Sequence, residues 1–564
     1  LQTGQNILAI HGLNDKPTAE RFVIWPELCI DRVDCRGRNK GKDFWVTFPE
    51  SYATDPSNPK EISLCLAGAP GTNGLVEMPR LGVSIPFTIG ATGTANVQLD
   101  PVLAELAGSD AIEDKGVHIT AGEAICVVGL NHINFSTDGY LGLPTKLLGN
   151  EYLVLGYPNV WPGVASLNGT QFGLVATVDA TTVQVIPSVT TDGHLAGVPY
   201  YITLDAGQTY QLINTEDGTG DLSGTVIRAN QRVGVFSGHR CANIRGAEFF
   251  CDHVVEHLPP VNHWQTRYYL GPLATRTGGD TVRVLAAYDG TDVLFNGVLQ
   301  ATLNRGDVHD VLVTGPTAIT TNNMPVLVAQ YANSSDFDGV EDADPFMALV
   351  PPPEGYDTSY RICAPPTGGF DKNYLNITLV SGQEGAITVD GTALVAIAGA
   401  TFTPIPTTGL TLAVVPVSAS APHDVLGPVP FGVIAYGFAS YNYDSYGYPA
   451  GVSFPDLPPL VTTPPETTVY VDPATGTAAV PNIQGDSTLE DDCDPPGSLE
   501  ASQTPRAALQ LSPGIYLVAV SATDSSGLTG TAMTSLENDM KKISRPVELQ
   551  LAKNPPSVET RHRR

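Results

Sequence analysis

Apolar residues in most of this chain fall on every second position, in short runs that break at Gly, Pro, Asp and Asn. That is the pattern of half-buried β-strands. Three stretches align without gaps: "VHITAGEAICVVGL" from Val117, "TVIRANQRVGVFSG" from Thr225 and "TAITTNNMPVLVAQ" from Thr317. Each reads as a strand, a two-residue polar turn and a second alternating strand. A second module, "VATVDATTVQVIP" from Val175 and "VLAAYDGTDVLFNG" from Val284, returns loosely as "LVSGQEGAITVDG" from Leu379. Its alternation around D-x-T or D-G predicts hairpins. A third, aromatic module opens each repeat: "KDFWVTFP" at 42, "EYLVLGYP" at 151, "RYYLGPL" at 267 and, more weakly, "SYRICAPP" at 359. Their spacing predicts about four repeats of roughly 95 to 115 residues, each with about six strands. Such a repeat suits either a β-sandwich of its own or a large blade in a closed ring. Ordinary blades are nearer 45 residues, which favours tandem sandwiches making a stiff rod.

The fold class expected is therefore all-β, with tandem β-sandwich-like repeats followed by an immunoglobulin-like sandwich. Residues 1–40 form an N-terminal extension in which Ile7, Leu8, Ala9 and Ile10 read as an orphan strand. It either folds back on its own chain or is donated to a neighbouring subunit. The four repeats occupy 41–454, and a Pro/Thr-rich linker follows at 455–468 as a semi-rigid strut. Residues 469–552 resume alternation as a small immunoglobulin-like module, and 553–564 form a basic tail.

Composition narrows the function. Fifty-eight acidic against 29 basic residues in 564 give a net charge of −29, which repels nucleic acid and anionic membrane. No apolar run is long enough to span a bilayer. Eight cysteines without a C-x-x-C pair, and a chain that starts at Leu1, suggest a mature secreted protein with disulfides. Cys241 and Cys251 close a short loop, Cys65 and Cys126 sit on alternating strands of the first repeat and are expected to pair, and Cys29 is matched with Cys35. Cys363 and Cys493 are left over. Sequons at Asn134, Asn168, Asn333 and Asn376 are candidate glycan acceptors.

The stretches "GVFSGHRCANI", "CDHVVEHLPPVNHW", "DTVRVLAAYDGT", "DPFMALVPPPE" and "YDSYGYPAG" occur in this order and resemble the N-terminal domain of the IgG Fc-binding protein family, over about 41–454. The family consists of extracellular domains of mucus-associated and bacterial surface proteins. The resemblance implies its fold; Fc binding belongs to particular members, and its residues do not map onto this chain. "DCDPPGSL" and "GIYLVAVSATDSSG" are similar to hyalin-repeat (HYR) modules, immunoglobulin-like adhesion domains, although only Cys493 remains of the cysteines such modules carry.

His253, Glu256 and His257 spell H-x-x-E-H, the signature of one class of zinc peptidase. That chemistry needs a helix, and Val254, Val255, Pro259 and Pro260 favour extended chain instead. In the resembling family Gln commonly stands at the place of His257, which implies that no metal is held there. We expect no catalytic residues, and His253 and Asp252 are assigned to hydrogen bonding beneath the Cys241–Cys251 loop. Calcium is the candidate cofactor, at Asp336, Asp338, Glu341 and Asp342, where hard oxygen ligands are dense. Tyr-rich "YGFASYNYDSYGYP" offers rings that suit stacking on sugars. The sequence thus describes a non-enzymatic extracellular structural or adhesion protein whose partners are copies of itself, added head to tail through residues 7–10. A monomeric module binding immunoglobulin, glycans or other extracellular proteins is the second reading, and a metallohydrolase the third.

Overall fold

The computed structural model describes residues 37–38, 40–52, 59–161, 167–215, 220–247, 250–340, 344–363, 365, 369–418, 422–440, 443–454, 459–464, 467–491, 496–525 and 527–539. Its elements are almost all strands, and it divides into two compact bodies, Leu1–Pro455 and Asp456–Arg564.

Each repeat of the first body is built around one long strand. Val117–Ile133, Val226–Ala242 and His423–Ala439 are continuous over 17 residues, so the polar pair at the centre of each motif is a bend in a strand rather than the expected turn. The two halves of the strand pair with different neighbours, so that one continuous sheet folds over into two layers. Val226–Ala242, for example, pairs Thr181–Ile186 through Val226 to Ala229, and Thr170–Ala176 through Val233 to His239. In the third repeat the bend becomes a break between Thr317–Thr321 and Val326–Tyr331. Asn323 there has φ +69°, and Pro325 lacks the N–H a ladder needs.

This bend also overturns two of the hairpins predicted around D-x-T and D-G, at 179–181 and 289–290, whereas Asp390–Gly391 does join a hairpin of Thr388–Val389 with Thr392–Ala393. Thr170–Ala176 and Thr181–Ile186 do not pair with each other; they pair with opposite halves of the long strand. Asp280–Ala286 and Thr291–Phe295 behave in the same way across the break. The turn chemistry is present, but there it arches the chain from layer to layer, and each repeat is a sandwich.

The aromatic opening modules fix the bend. Tyr152, Tyr268 and Tyr360 donate their hydroxyls to the carbonyls of Val233, Val326 and Phe431, and accept the N–H groups of Gly149, Gln265 and Asp357. Phe44 holds the same place in the first repeat without a hydroxyl. All four rings are buried. Gly149 starts this arrangement against Pro260, whose Cβ would lie 2.5 Å from any added Cβ, and Gly41 is equally tight against Pro144.

The four sandwiches form a closed ring rather than a rod. A short closing strand ends each repeat: Ser136–Gly142, Asp252–His257, Met347–Leu349 and Asp444–Pro449. These four strands lie side by side around one axis, first beside second, second beside third, third beside fourth and fourth beside first. The hydrophobic cores are shared in the same cyclic order. Val175, Phe236 and Val255 complete the core of repeat one; Leu285, Leu327 and Met347 that of repeat two; Ile434, Tyr436 and Phe438 that of repeat three. Val128 and Leu141 of repeat one pack with Ile377 and Val433 of repeat four. Each large apolar side chain so buried contributes roughly 1.5–3 kcal/mol, so separating neighbours would cost far more than bending a linker. Tandem beads would leave these surfaces wet.

Two further features close the seam. Gly37–Arg38 pairs with Ser453–Phe454, and Cys65 bonds Cys363 with Cα atoms 6.2 Å apart. The expected Cys65–Cys126 bridge is therefore wrong. Cys65 lies opposite Val128, which puts Cys126 on the diagonal, about 7–8 Å away and beyond ordinary bridging range. Cys126 is buried in the same core. The second body has a four-stranded sheet in which Thr467–Tyr470 runs parallel to Thr529–Asp539, around a small core that includes Val480, Val518, Val520 and Leu536. No described helix is long and apolar enough to cross a membrane.

The Cys65–Cys363 bond encloses a separation of 298 residues. Replacing both cysteines with Ser should cost roughly 3–5 kcal/mol, as expected for so long a loop, and should speed unfolding of the ring. Guanidinium titration monitored by Trp fluorescence measures it; an unchanged midpoint would show that the seam does not depend on the bridge.

Candidate functional site

At the axis one carboxylate holds all four repeats. Asp138, fully buried in the first closing strand, accepts the N–H of Val255 at 3.0 Å and of Met347 at 3.1 Å on Oδ2, and of Gly139 at 2.8 Å and Gly447 at 3.3 Å on Oδ1. These N–H groups stand at equivalent positions in the four closing strands. Glu256, 1% exposed, adds a bond of 2.8 Å from the N–H of Leu349. Burial pushes both carboxyls well above the usual range, and the N–H donors pull the other way.

Three residues before those N–H positions stand Ser136, Asp252, Asp344 and Asp444, all buried. Burial first, and then the charges of Asp344, Asp444 and Asp138, raise the Asp252 carboxyl. Asp344 is raised by burial and by Asp444, against the opposing effect of Arg276. Asp444 is raised by burial and eased by His132 and by Thr137, whose hydroxyl donates to it at 3.3 Å. Ser136 Oγ accepts the N–H of His253. Beyond Glu256, residues of all four repeats enclose an apolar cavity of about 30 Å³, walled by Leu141, His257, Leu349 and Pro449 among others.

The H-x-x-E-H residues lie on the second closing strand and not on a helix. Four residues of strand separate His253 from His257 by about 13 Å, too far to share a zinc ion. His257 Nδ1 accepts the N–H of Leu143 at 3.1 Å, so the neutral ring carries its proton on Nε2, and it stacks on Phe236 with centroids 4.0 Å apart. Desolvation lowers His239, His253, His257 and His263 to about 3. Among the described residues no group of three or more His, Cys, Asp or Glu is arranged to hold a metal.

The other candidates scatter. Cys241 and Cys251 form a disulfide with Cα atoms 5.0 Å apart. Cys29, Cys35, Cys493 and the strand Ile7, Leu8, Ala9 and Ile10 lie outside the described residues, as do Glu341, Asp342 and the Asp338 side chain of the calcium candidate. Asp336 accepts the N–H of Ala247. Of the sequons only Asn134 is exposed. Asn168, Asn333 and Asn376 are corrections: their amides are buried and bonded, to Trp161, to Thr281 and Gly279, and to Tyr436 and Pro272, leaving no room for a glycan. Tyr436, Tyr446 and Tyr448, read as stacking platforms, are core residues. The role of Asp138 was missed. A recurrent Asp was available as a signal for the acids around it, since "DHVVEHL", "DPFMALV" and "DSYGYPA" align.

A family model described as IgGFc binding protein matches residues 138–437, more than half of the chain. Human IgGFc-binding protein is 28% identical over 373 residues, covering 63% of this chain and 6% of that protein, so the chain spans only a small part of that relative's length. Among solved structures, mouse cadherin-23 EC22-24 is 12% identical over 49% of this chain and 99% of its own, with a TM-score of 0.13. The human desmocollin-1 ectodomain is 10% identical over 69% and 80%, with a TM-score of 0.14. Values so low carry no argument about arrangement.

Asp138→Ala should destabilise the ring by roughly 3–5 kcal/mol, because it strands buried N–H groups of several repeats at once; equilibrium denaturation measures it. A loss under 1 kcal/mol, on the order of a surface substitution, would contradict the role given to this carboxylate. The pH dependence follows from opposed signs. The raised carboxyls (Asp138, Asp252, Glu256, Asp344, Asp444) bind protons more tightly in the folded state, so their stabilisation is lost as pH rises above the ordinary carboxyl range. The lowered histidines make the opposite demand, losing stability as pH falls from about 6.5 towards 3. The slopes offset each other between these limits and only the carboxyls act above, so stability should peak on the acid side of neutrality. Asp252→Asn should flatten the alkaline fall in melting temperature; an unaltered slope would remove Asp252 from this balance.

Proposed function

Because the chain belongs to the IgGFc-binding protein family, we propose that it is an extracellular, non-enzymatic adhesion and structural protein, a building block that joins copies of itself into a fibre. The observation that carries this reading is the completeness of the ring. Its four shared cores are filled, among the described residues, by side chains between Phe44 and Ala450, and its seam is closed by Cys65–Cys363. Residues 7–10 are apolar and strand-like in sequence, so a sheet edge on a neighbour is a sensible destination for them. A head-to-tail contact of this kind grows into a filament unless its rotation closes. The disulfides support an extracellular setting. The strand geometry of His253 and His257 supports the absence of peptidase chemistry.

The name of the human relative favours a second reading, a monomeric module that binds immunoglobulin; glycans and other extracellular proteins are further ligands of this class. Negative-stain microscopy and sedimentation separate the two. Full-length protein should form oligomers or fibres, and deletion of residues 1–15 should leave monomers with an unchanged melting temperature. Fibres that persist after the deletion would end the strand-donation reading. A monomeric full-length protein that captures Fc would establish the second.

A further inference from the structure

Repeats one and two line an open cleft of about 520 Å³ whose lining residues are richer in charge than the chain as a whole, 15% of which is charged. Its walls carry Glu50, Lys60, Glu105, Lys115 and Arg240, together with Ser109. The charges are paired and mostly buried. Lys60 Nζ lies 2.7 Å from Glu105 Oε2, Arg240 Nη2 lies 3.1 Å from Glu50 Oε1, and Lys115 Nζ lies 2.7 Å from Glu113 Oε1; each of these side chains is between 12% and 19% exposed. The pairs are held from behind. Glu105 also accepts the Ser51 N–H and the Asn131 amide, Glu50 accepts the N–H of Gly108, and Lys115 donates to the Glu105 carbonyl. The charged groups are thus fixed before any ligand arrives.

We infer that this cleft is a binding site for a sugar ring. The chemistry selects the class. Each of the three ammonium or guanidinium groups already has a carboxylate partner, Glu105 for Lys60, Glu50 for Arg240 and Glu113, outside the lining, for Lys115, so none of the three is left for a phosphate or another lone anion to neutralise. An apolar ligand would bury these charges without hydrogen bonds. A carbohydrate uses both donors and acceptors at neighbouring hydroxyls, and its C–H face suits the apolar part of the wall, formed by Pro101, Val102 and Ile213. The volume falls within the usual range for small-ligand sites, and the place between two sandwiches is a common one for them. The site is independent of residues 1–15, so it stands whether or not the chain assembles through them.

The test is saturation-transfer NMR on the full chain with glucose, galactose, N-acetylglucosamine and glucuronate, and inorganic phosphate shifts followed in parallel. Ala107, exposed on the wall, is replaced with Trp, which fills the cleft while keeping the backbone N–H that position 107 donates to Glu113. Transfer to at least one sugar in the native protein, abolished in Ala107→Trp at an unchanged melting temperature, is the expected result. Lys115→Met should weaken the same transfer. Absence of transfer to all four sugars, transfer that survives Ala107→Trp, or binding of phosphate alone would overturn the assignment.

Discussion

A carboxylate with two oxygens cannot ordinarily tie four strands together, yet Asp138 does so because the four closing strands converge at the axis and aim one N–H each at it. The residues that carry these N–H groups are buried, and a buried N–H left without an acceptor costs free energy, so the Asp138 carboxyl satisfies four such demands at once. The contact is also unforgiving. If one repeat moves away, an N–H and part of a carboxylate are left buried without partners. The shared cores make the same demand from outside the axis, since each repeat completes its neighbour's apolar interior. Repeats that lie in sequence like beads on a string thus become one cooperative body.

That cooperation brings a cost near the axis. The closing strands place Asp252, Asp344 and Asp444 in one buried neighbourhood, where ionisation of one raises the next. Four neutral histidines set the opposite dependence on pH. These opposed shifts place the expected optimum of stability on the acid side of neutrality. Paired charges at the seam of repeats one and two, rather than anything at the axis, are where a ligand finds prepared polar groups.

Alternation and spacing made the four repeats visible, because a strand with one buried face must repeat its apolar residues at every second position. The aromatic module was legible as a recurrence, although what Tyr152, Tyr268 and Tyr360 do could be seen only once their hydroxyls met the bends at Val233, Val326 and Phe431. The fourth long strand escaped detection because Pro428 and Val429 stand where the other copies have a polar pair. Cys363 looked unpaired because its partner lies almost 300 residues earlier, and local spacing carries no information about ring closure. Asp138 was hidden for a related reason: a lone Asp before Gly reads as a turn, and only three distant strands give it another meaning. Buried sequons mislead in the same manner, since Asn333 matches a surface signal while its amide serves the interior.

Native-state hydrogen exchange at the amides of Gly139, Val255, Met347 and Gly447 tests the axial contact most directly. If Asp138 binds the four repeats into one body, these amides should exchange together, at the rate set by global unfolding, and should all become faster in Asp138→Asn. Exchange of any one of them by a separate local opening, or protection that survives the substitution at all four, would show that the repeats are held by their cores alone.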